Sequence, residues 1–114
     1  MTPALHAARA YQSSADRRSL REQEADVFYR VVGVLRRAFA ADSPMIQTRA
    51  LADNRRLWTA VTDLVRDPTN QLPMSLRASI ISIGAAVQRE MDVPEPDWEF
   101  LISVNENLAA GLAG

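Results

Sequence analysis

The side chains that most often do chemistry are scarce in this sequence. His6 is the one imidazole among 114 residues, cysteine is absent, and the tightest acidic cluster is Glu95, Asp97 and Glu99. Lack of cysteine excludes disulfides, thiolate nucleophiles, zinc fingers and iron–sulfur ligation, a composition that suits the cytoplasm. One histidine in an alanine-rich stretch supports neither a Ser-His-acid relay nor a multi-histidine metal site; its ordinary role is at the surface or in packing. The three acids are spaced like a metal or acid–base cluster, but residues two apart on a helix diverge. Placed in the first turn of a helix, they instead favour the positive end of its dipole by about 0.3 to 1 kcal/mol each. Gly33, Gly84, Gly111 and Gly114 are too scattered to cradle a phosphate. The expectation is a protein that is not an enzyme, with no catalytic residue, no metal and no cofactor.

All thirteen basic side chains are arginine, a bias that GC-rich codons explain as readily as function does. Their distribution says more: residues 1–56 hold ten arginines against six acids, and 57–114 hold three against eight, so charge is segregated along the chain. Arg17, Arg18 and Arg21 surround the start of a predicted helix, where positive charge opposes the dipole. They are a candidate binding surface, competing with the plainer reading of a solvated patch neutralised by Asp16, Glu22 and Glu24. Arg36 and Arg37, at the far end of that helix, are explained by the dipole alone. An isoelectric point near 5.8 argues against a broad nucleic-acid footprint and leaves room only for a local one.

The elements that must position these groups follow from periodicity and punctuation. With 47% hydrophobic and 24% charged residues, the chain has the composition of a soluble globular protein. At this length it forms one domain, 1–114, with a modest core. No stretch approaches the roughly 18 apolar residues of a membrane span, and MTPALHAARAYQSS lacks the continuous apolar core of a signal peptide. Prolines at 44, 68, 73, 94 and 96 cut the chain into helix-sized pieces.

The first predicted helix, 3–12, carries Leu5, Ala8 and Tyr11 at spacings of three and must dock to persist. The second, 19–41, opens on a Ser19–Glu22 capping box and buries Phe28, Val31, Val32, Leu35 and Phe39. The third, 44–66, starts at Ser43-Pro44 with an apolar stripe of Leu57, Trp58, Val61, Leu64 and Val65, and stops in the turn Asp67-Pro68-Thr69-Asn70. In the fourth, 73–92, the stripe is Leu76, Ile80, Ile83, Val87 and Met91, and Gly84 marks either a cost or a close crossing. The fifth, 96–111, places Trp98, Leu101, Ile102, Asn105, Leu108 and Leu112 on one side, with Gly111 near its C-cap. No segment alternates like a strand, so the fold class is all-α, a small bundle of four to five helices with short loops. Trp58 and Trp98 default to core packing. The small side chains Ala78, Ser79, Ala85, Ala86, Ala109 and Ala110 leave room for a shallow apolar groove that could take a partner's amphipathic helix.

Four stretches together resemble the flagellar biosynthesis regulator FlaF family of alphaproteobacteria: HAARAYQ near the start, NRRLWTAVTDL at 54–64, NQLPMSLRASIISIGAAVQRE at 70–90 and LISVNENLAAGL at 101–112. The family-like positions are Tyr11, Leu57, Trp58, Leu72, Pro73, Leu76, Arg77, Asn105, Leu108, Gly111 and Leu112. The sequence departs from the family pattern at Ala85-Ala86, where bulkier apolar residues are expected, and at Glu106, where a basic one is. The resemblance implies a cytoplasmic protein needed for flagellin production and export, binding flagellin in the manner of a secretion chaperone and working with or against the flagellin-mRNA regulator FlbT.

Together, the resemblance and the apolar stripes nominate Tyr11, Trp58, Leu76, Arg77, Ile80, Trp98, Asn105 and Leu108 as partner contacts. Flagellin is the expected partner, with FlbT or an export component as a further one and no membrane insertion. In the alternative, the protein regulates translation of flagellin mRNA with FlbT. It then acts either on RNA through Arg17, Arg18, Arg21, Arg55 and Arg56, or as a protein scaffold.

Overall fold

The computed structural model describes residues 23–113, and every regular element among them is helical: α1 over 23–40, α2 Pro44–Arg66, α3 Met74–Met91 and α4 Trp98–Ala113. The expected helix 3–12 and the Ser19–Glu22 capping box lie outside the described residues.

Local chemistry explains where the helices begin and end. The Gln47 side-chain amide donates to the carbonyls of Ala38 and Ala41 (3.3 and 3.1 Å), satisfying acceptors that the end of α1 leaves free. At the entry to α2, Ser43 Oγ accepts from Ile46 N–H and Pro44 occupies the first turn, as the sequence predicts. Asp97 caps α4 by accepting from Phe100 N–H at 3.0 Å, while its own N–H donates to Glu90 Oε2. Only Glu99 of the three clustered acids is therefore inside the first turn of α4. Gly111 does not end α4, which continues to Ala113; with no positive φ, this glycine is one more helical residue.

Consecutive helices run antiparallel. Arg55 meets Gln88 and Asp92, Trp58 and Thr62 meet Gly84, and Arg77 reaches back to Val65 and Asp67, which fixes α3 against α2. α1 joins through Phe28, whose ring meets Trp58 edge-on, with centroids 6.1 Å apart and planes at 78°. An Arg36–Glu106 ion pair ties α1 to α4, which accounts for the acid that departs from the family pattern.

The core is a single cluster drawn from all four helices, with Phe28, Leu35, Trp58, Val87 and Leu101 among its buried members. Three of the predicted stripes are rotated: in α2 the buried line is Ala50, Asn54, Trp58 and Val65, with Leu57 and Val61 half-buried and Leu64 exposed. In α3 the buried line is Ile80, Gly84, Val87 and Met91, whereas Leu76 and Ile83 are 45% and 42% exposed. The reason is Gly84: a Cβ there would meet Trp58 Cε3 at 3.2 Å and Thr62 Oγ1 at 3.0 Å, so the helix turns its smallest residue, and not Ile83, toward the indole. In α1 the buried line Phe28, Val32, Leu35 continues at Ala38, three residues after Leu35, which leaves Phe39 on the exposed side.

A polar chain crosses this core. Trp58 Nε1–H donates to Asn105 Oδ1 (2.8 Å), Asn105 Nδ2 donates to Asn54 Oδ1 (2.7 Å), and Asn54 Nδ2 donates to the Met91 sulfur (3.4 Å). Both asparagines are fully buried and, among the described residues, no buried side-chain nitrogen or oxygen lacks a partner. Asn105→Ala strands the indole N–H and the Asn54 carbonyl, each costing about 1–3 kcal/mol; urea unfolding should show a loss of about 3 kcal/mol. For Gly84→Ala, the gain in helix propensity of about 1 kcal/mol competes with overpacking of about 1–3 kcal/mol. Because Trp58 is held by Phe28 and Asn105, overpacking wins, and the midpoint should fall.

Candidate functional site

α1 is antiparallel to α2 and α4, so its N-terminal turns share one end of the molecule with the C-terminal halves of α2 and α4 and the start of α3. An apolar groove of about 300 Å³ opens there. Its floor includes Phe28, Val65 and Ile80 from the core, and its walls are Leu57 and Val61 of α2 with Leu108 and Leu112 of α4. Val27 and Leu64, at 40% and 59% exposed, stand at the mouth. Among the described residues, Glu24 is the one ionisable side chain lining it. Such a cleft can take an apolar helix face or side chain; among the described residues its lining holds no nucleophile and no acid–base pair.

The loop between α2 and α3 shapes the groove's lower wall. Thr69 donates its backbone N–H and its hydroxyl to Asp67 Oδ1 (2.8 and 2.7 Å), and Asn70 donates to Leu64 O while accepting from Leu72 N–H. Arg77 donates to the carbonyls of Val65 (2.7 Å) and Asp67 (2.9 Å), closing the end of α2. Asn70 and Leu72 line the groove, so these bonds position part of its surface.

The nominated contacts separate into distinct places. Ile80 and Leu108 line the groove together. Trp58 and Asn105 instead lie in the interior, 1% and 0% exposed, bonded to each other and closed off from a partner. Arg77 is half-buried as the clamp on α2, Trp98 is packed against the core, and Leu76 is on the exposed side of α3. Tyr11 lies outside the described residues, as do Arg17, Arg18 and Arg21. Arg55 is held by Asp92 (2.9 Å) and Gln88, and Arg56 pairs with Asp53.

None of the small side chains expected to line a groove lines this one: Ala78, Ser79 and Ala110 are exposed, Ala109 is core, and Ala85 and Ala86 line two other surface clefts, of about 240 and 290 Å³. The groove is built from larger residues. Val27, Leu57, Val61, Leu64 and Leu72 were not singled out as contacts by sequence reasoning, although Leu57, Val61 and Leu64 repeat at spacings of four and three. That second apolar line, beside the core line of Ala50, Asn54, Trp58 and Val65, is the signal.

The described fold is that of an all-helical protein carrying an apolar groove at one end. A family model described as flagellar protein FlaF matches residues 7–112, and the chain belongs to the FlaF family. No curated protein and no solved structure matches it. Among the described residues, no helix is long and apolar enough to cross a membrane.

The two Thr69 bonds, backbone first, with the nearby Arg77 guanidinium, outweigh burial and hold the Asp67 carboxyl below the usual carboxylate range. A depressed folded pKa adds stability that is complete above the unfolded value of about 3.9 and is lost as pH falls through the folded one. The melting temperature of Asp67→Asn should therefore lie below that of the parent at pH 6, with the gap closing as the pH is lowered through and beneath that value.

Proposed function

We propose that this FlaF-family chain is needed for flagellin production and export and acts by binding, in the manner of a secretion chaperone. Flagellin's terminal segments are amphipathic and disordered before assembly, so capture of their apolar stripe blocks premature polymerisation and keeps them export-competent. The observation that carries this reading is the groove: its walls are apolar, and Val27 and Leu64 at its mouth are left uncovered by the four helices. The reading places the protein in the cytoplasm, where flagellin is made. FlbT or an export component is a further partner that could receive the complex.

The charges are consistent with this choice. Arg55 and Arg56 are already neutralised by carboxylates of the same chain, whereas a phosphate-binding surface gains from free cations.

Calorimetric titration of the full chain with monomeric flagellin, and separately with flagellin leader RNA, at two salt concentrations tests the reading. The expected result is a one-to-one flagellin complex with a negative heat-capacity change and little salt dependence. Leu64→Asp, a change at an exposed position that leaves the core intact, should weaken it by at least about tenfold, or about 1.4 kcal/mol. Absence of binding at micromolar concentrations of both proteins would sink the chaperone reading. Salt-steep RNA binding would move the site to the arginines, and FlbT binding indifferent to flagellin would make the protein a scaffold.

A further inference from the structure

The outward side of α3 serves neither the core nor the groove. Leu76, Ser79, Ile83, Ala86 and Glu90 recur at steps of three and four, which sets them in one line along the helix. This line runs beside the buried one of Ile80, Gly84, Val87 and Met91. Leu76 and Ile83 are 45% and 42% exposed, and neither packs against the core cluster or lines the groove. A surface helix normally turns charge outward. From Met74 to Gln88, however, the one ionisable residue is Arg77, and its guanidinium is turned back onto the carbonyls of Val65 and Asp67. Depletion of charge around exposed apolar side chains marks the centre of a protein–protein contact rather than open surface.

At its C-terminal end the line enters the cleft of about 290 Å³ between α3 and the start of α4, whose apolar members are Ala86, Val93 and Phe100; Arg89, Glu90 and Asp97 complete its lining. Val93 is 42% exposed. Ile83 lies midway between Leu76 and Glu90. A second copy of α3 laid antiparallel, with the two-fold axis at Ile83, therefore brings its Leu76 level with this cleft, and the contact occurs twice. Ser79 and Ala86, on either side of Ile83, leave room for the approaching helix. Charge selects the direction. Glu90, Glu95, Asp97 and Glu99 follow one another across the α3–α4 corner, with Arg89 as their one basic neighbour in that stretch. Parallel pairing would set two such corners side by side, whereas antiparallel pairing keeps Glu90 about 21 Å along the helix from its copy, beyond the screening length of about 8 Å. Glu90 is itself engaged within its own chain, accepting from Asp97 N–H at 3.1 Å.

We infer that this face of α3 is the contact between two copies of the chain, paired antiparallel about Ile83, with Leu76 of each seated in the α3–α4 cleft of the other. The pairing is independent of what the groove binds.

Sedimentation equilibrium of the full chain from micromolar to millimolar concentration should show the 12.6 kDa monomer passing into a dimer. Ile83→Asp sets two carboxylates against each other at the axis and should keep the chain monomeric throughout, with a melting temperature close to the parent's because Ile83 is not packed on the core. Since the chain has no cysteine, single cysteines report the geometry. Under mild oxidation Ile83→Cys should cross-link into a covalent dimer, whereas Ser79→Cys, about 12 Å along the helix from its copy, is too distant for a disulfide. A chain that is monomeric at every concentration overturns the pairing. So does a dimer that Ile83→Asp leaves intact, or one that Ser79→Cys cross-links as readily as Ile83→Cys, the mark of parallel helices. Loss of flagellin binding on Ile83→Asp, in a chain already monomeric, would assign the face to flagellin and overturn the pairing as well.

Discussion

An indole N–H can only donate, and that restriction organises the centre of this molecule. Buried at Trp58, it requires an acceptor, so Asn105 must present its oxygen; the Asn105 amide nitrogen then faces Asn54, which must present its own oxygen and turn its nitrogen to the Met91 sulfur. One donor thus orients two amides and joins α2, α4 and α3. The indole ring adds the remaining helix, meeting Phe28 of α1 with its edge and lying over Gly84. Buried polar contacts of this kind contribute little net stability compared with apolar residues of equal volume. Their best-attested effect is on register, because a shift of one residue on any helix leaves a buried group unpaired.

Fixing the register at the centre leaves the end of the molecule free to serve another purpose. Leu57, Val61 and Leu64 lie on a second side of α2, where Asn54 and Trp58 do not reach, and α4 contributes Leu108 and Leu112 beyond Asn105. These side chains are more than the core consumes. The α2–α3 connection keeps them apart from the core: the Asp67–Thr69 bonds, the Asn70 bridge and the Arg77 clamp shape the chain so that Leu72 closes one wall. The groove is therefore a product of the same turn chemistry that ends α2.

Helix limits were legible in the sequence wherever the signal was local. Ser43-Pro44 and Asp67-Pro68 bracket α2 at the residues predicted, because capping and proline act within one turn. Facing was less legible, since it depends on what lies opposite. Leu76 and Ile83 have the periodicity of a buried stripe, yet Gly84 faces inward because a neighbouring helix brings an indole to that point. Asn54 escaped notice for the same reason: a polar residue on a core face is visible only when its partner is known. Trp58 reads by default as core and Asn105 falls on the apolar side of the last helix, yet family likeness nominates both as partner contacts, since it marks a position without saying whether it serves the fold or a partner. Leu108 and Ile80 were found for the groove; its walls were not, because a line of apolar residues beside the core line looks like a broader core until the helices are in place.

The polar chain through the core also governs how the molecule assembles. α2 and α3 are joined by a short loop and can pair early, but that hairpin alone would bury the Trp58 N–H and the Asn54 oxygen with nothing to bond them. Only α4, the last helix in the sequence, brings Asn105. A dry, partly formed core is penalised until then, so intermediates lacking α4 are held wet and loose and the transition is driven toward all-or-none cooperativity.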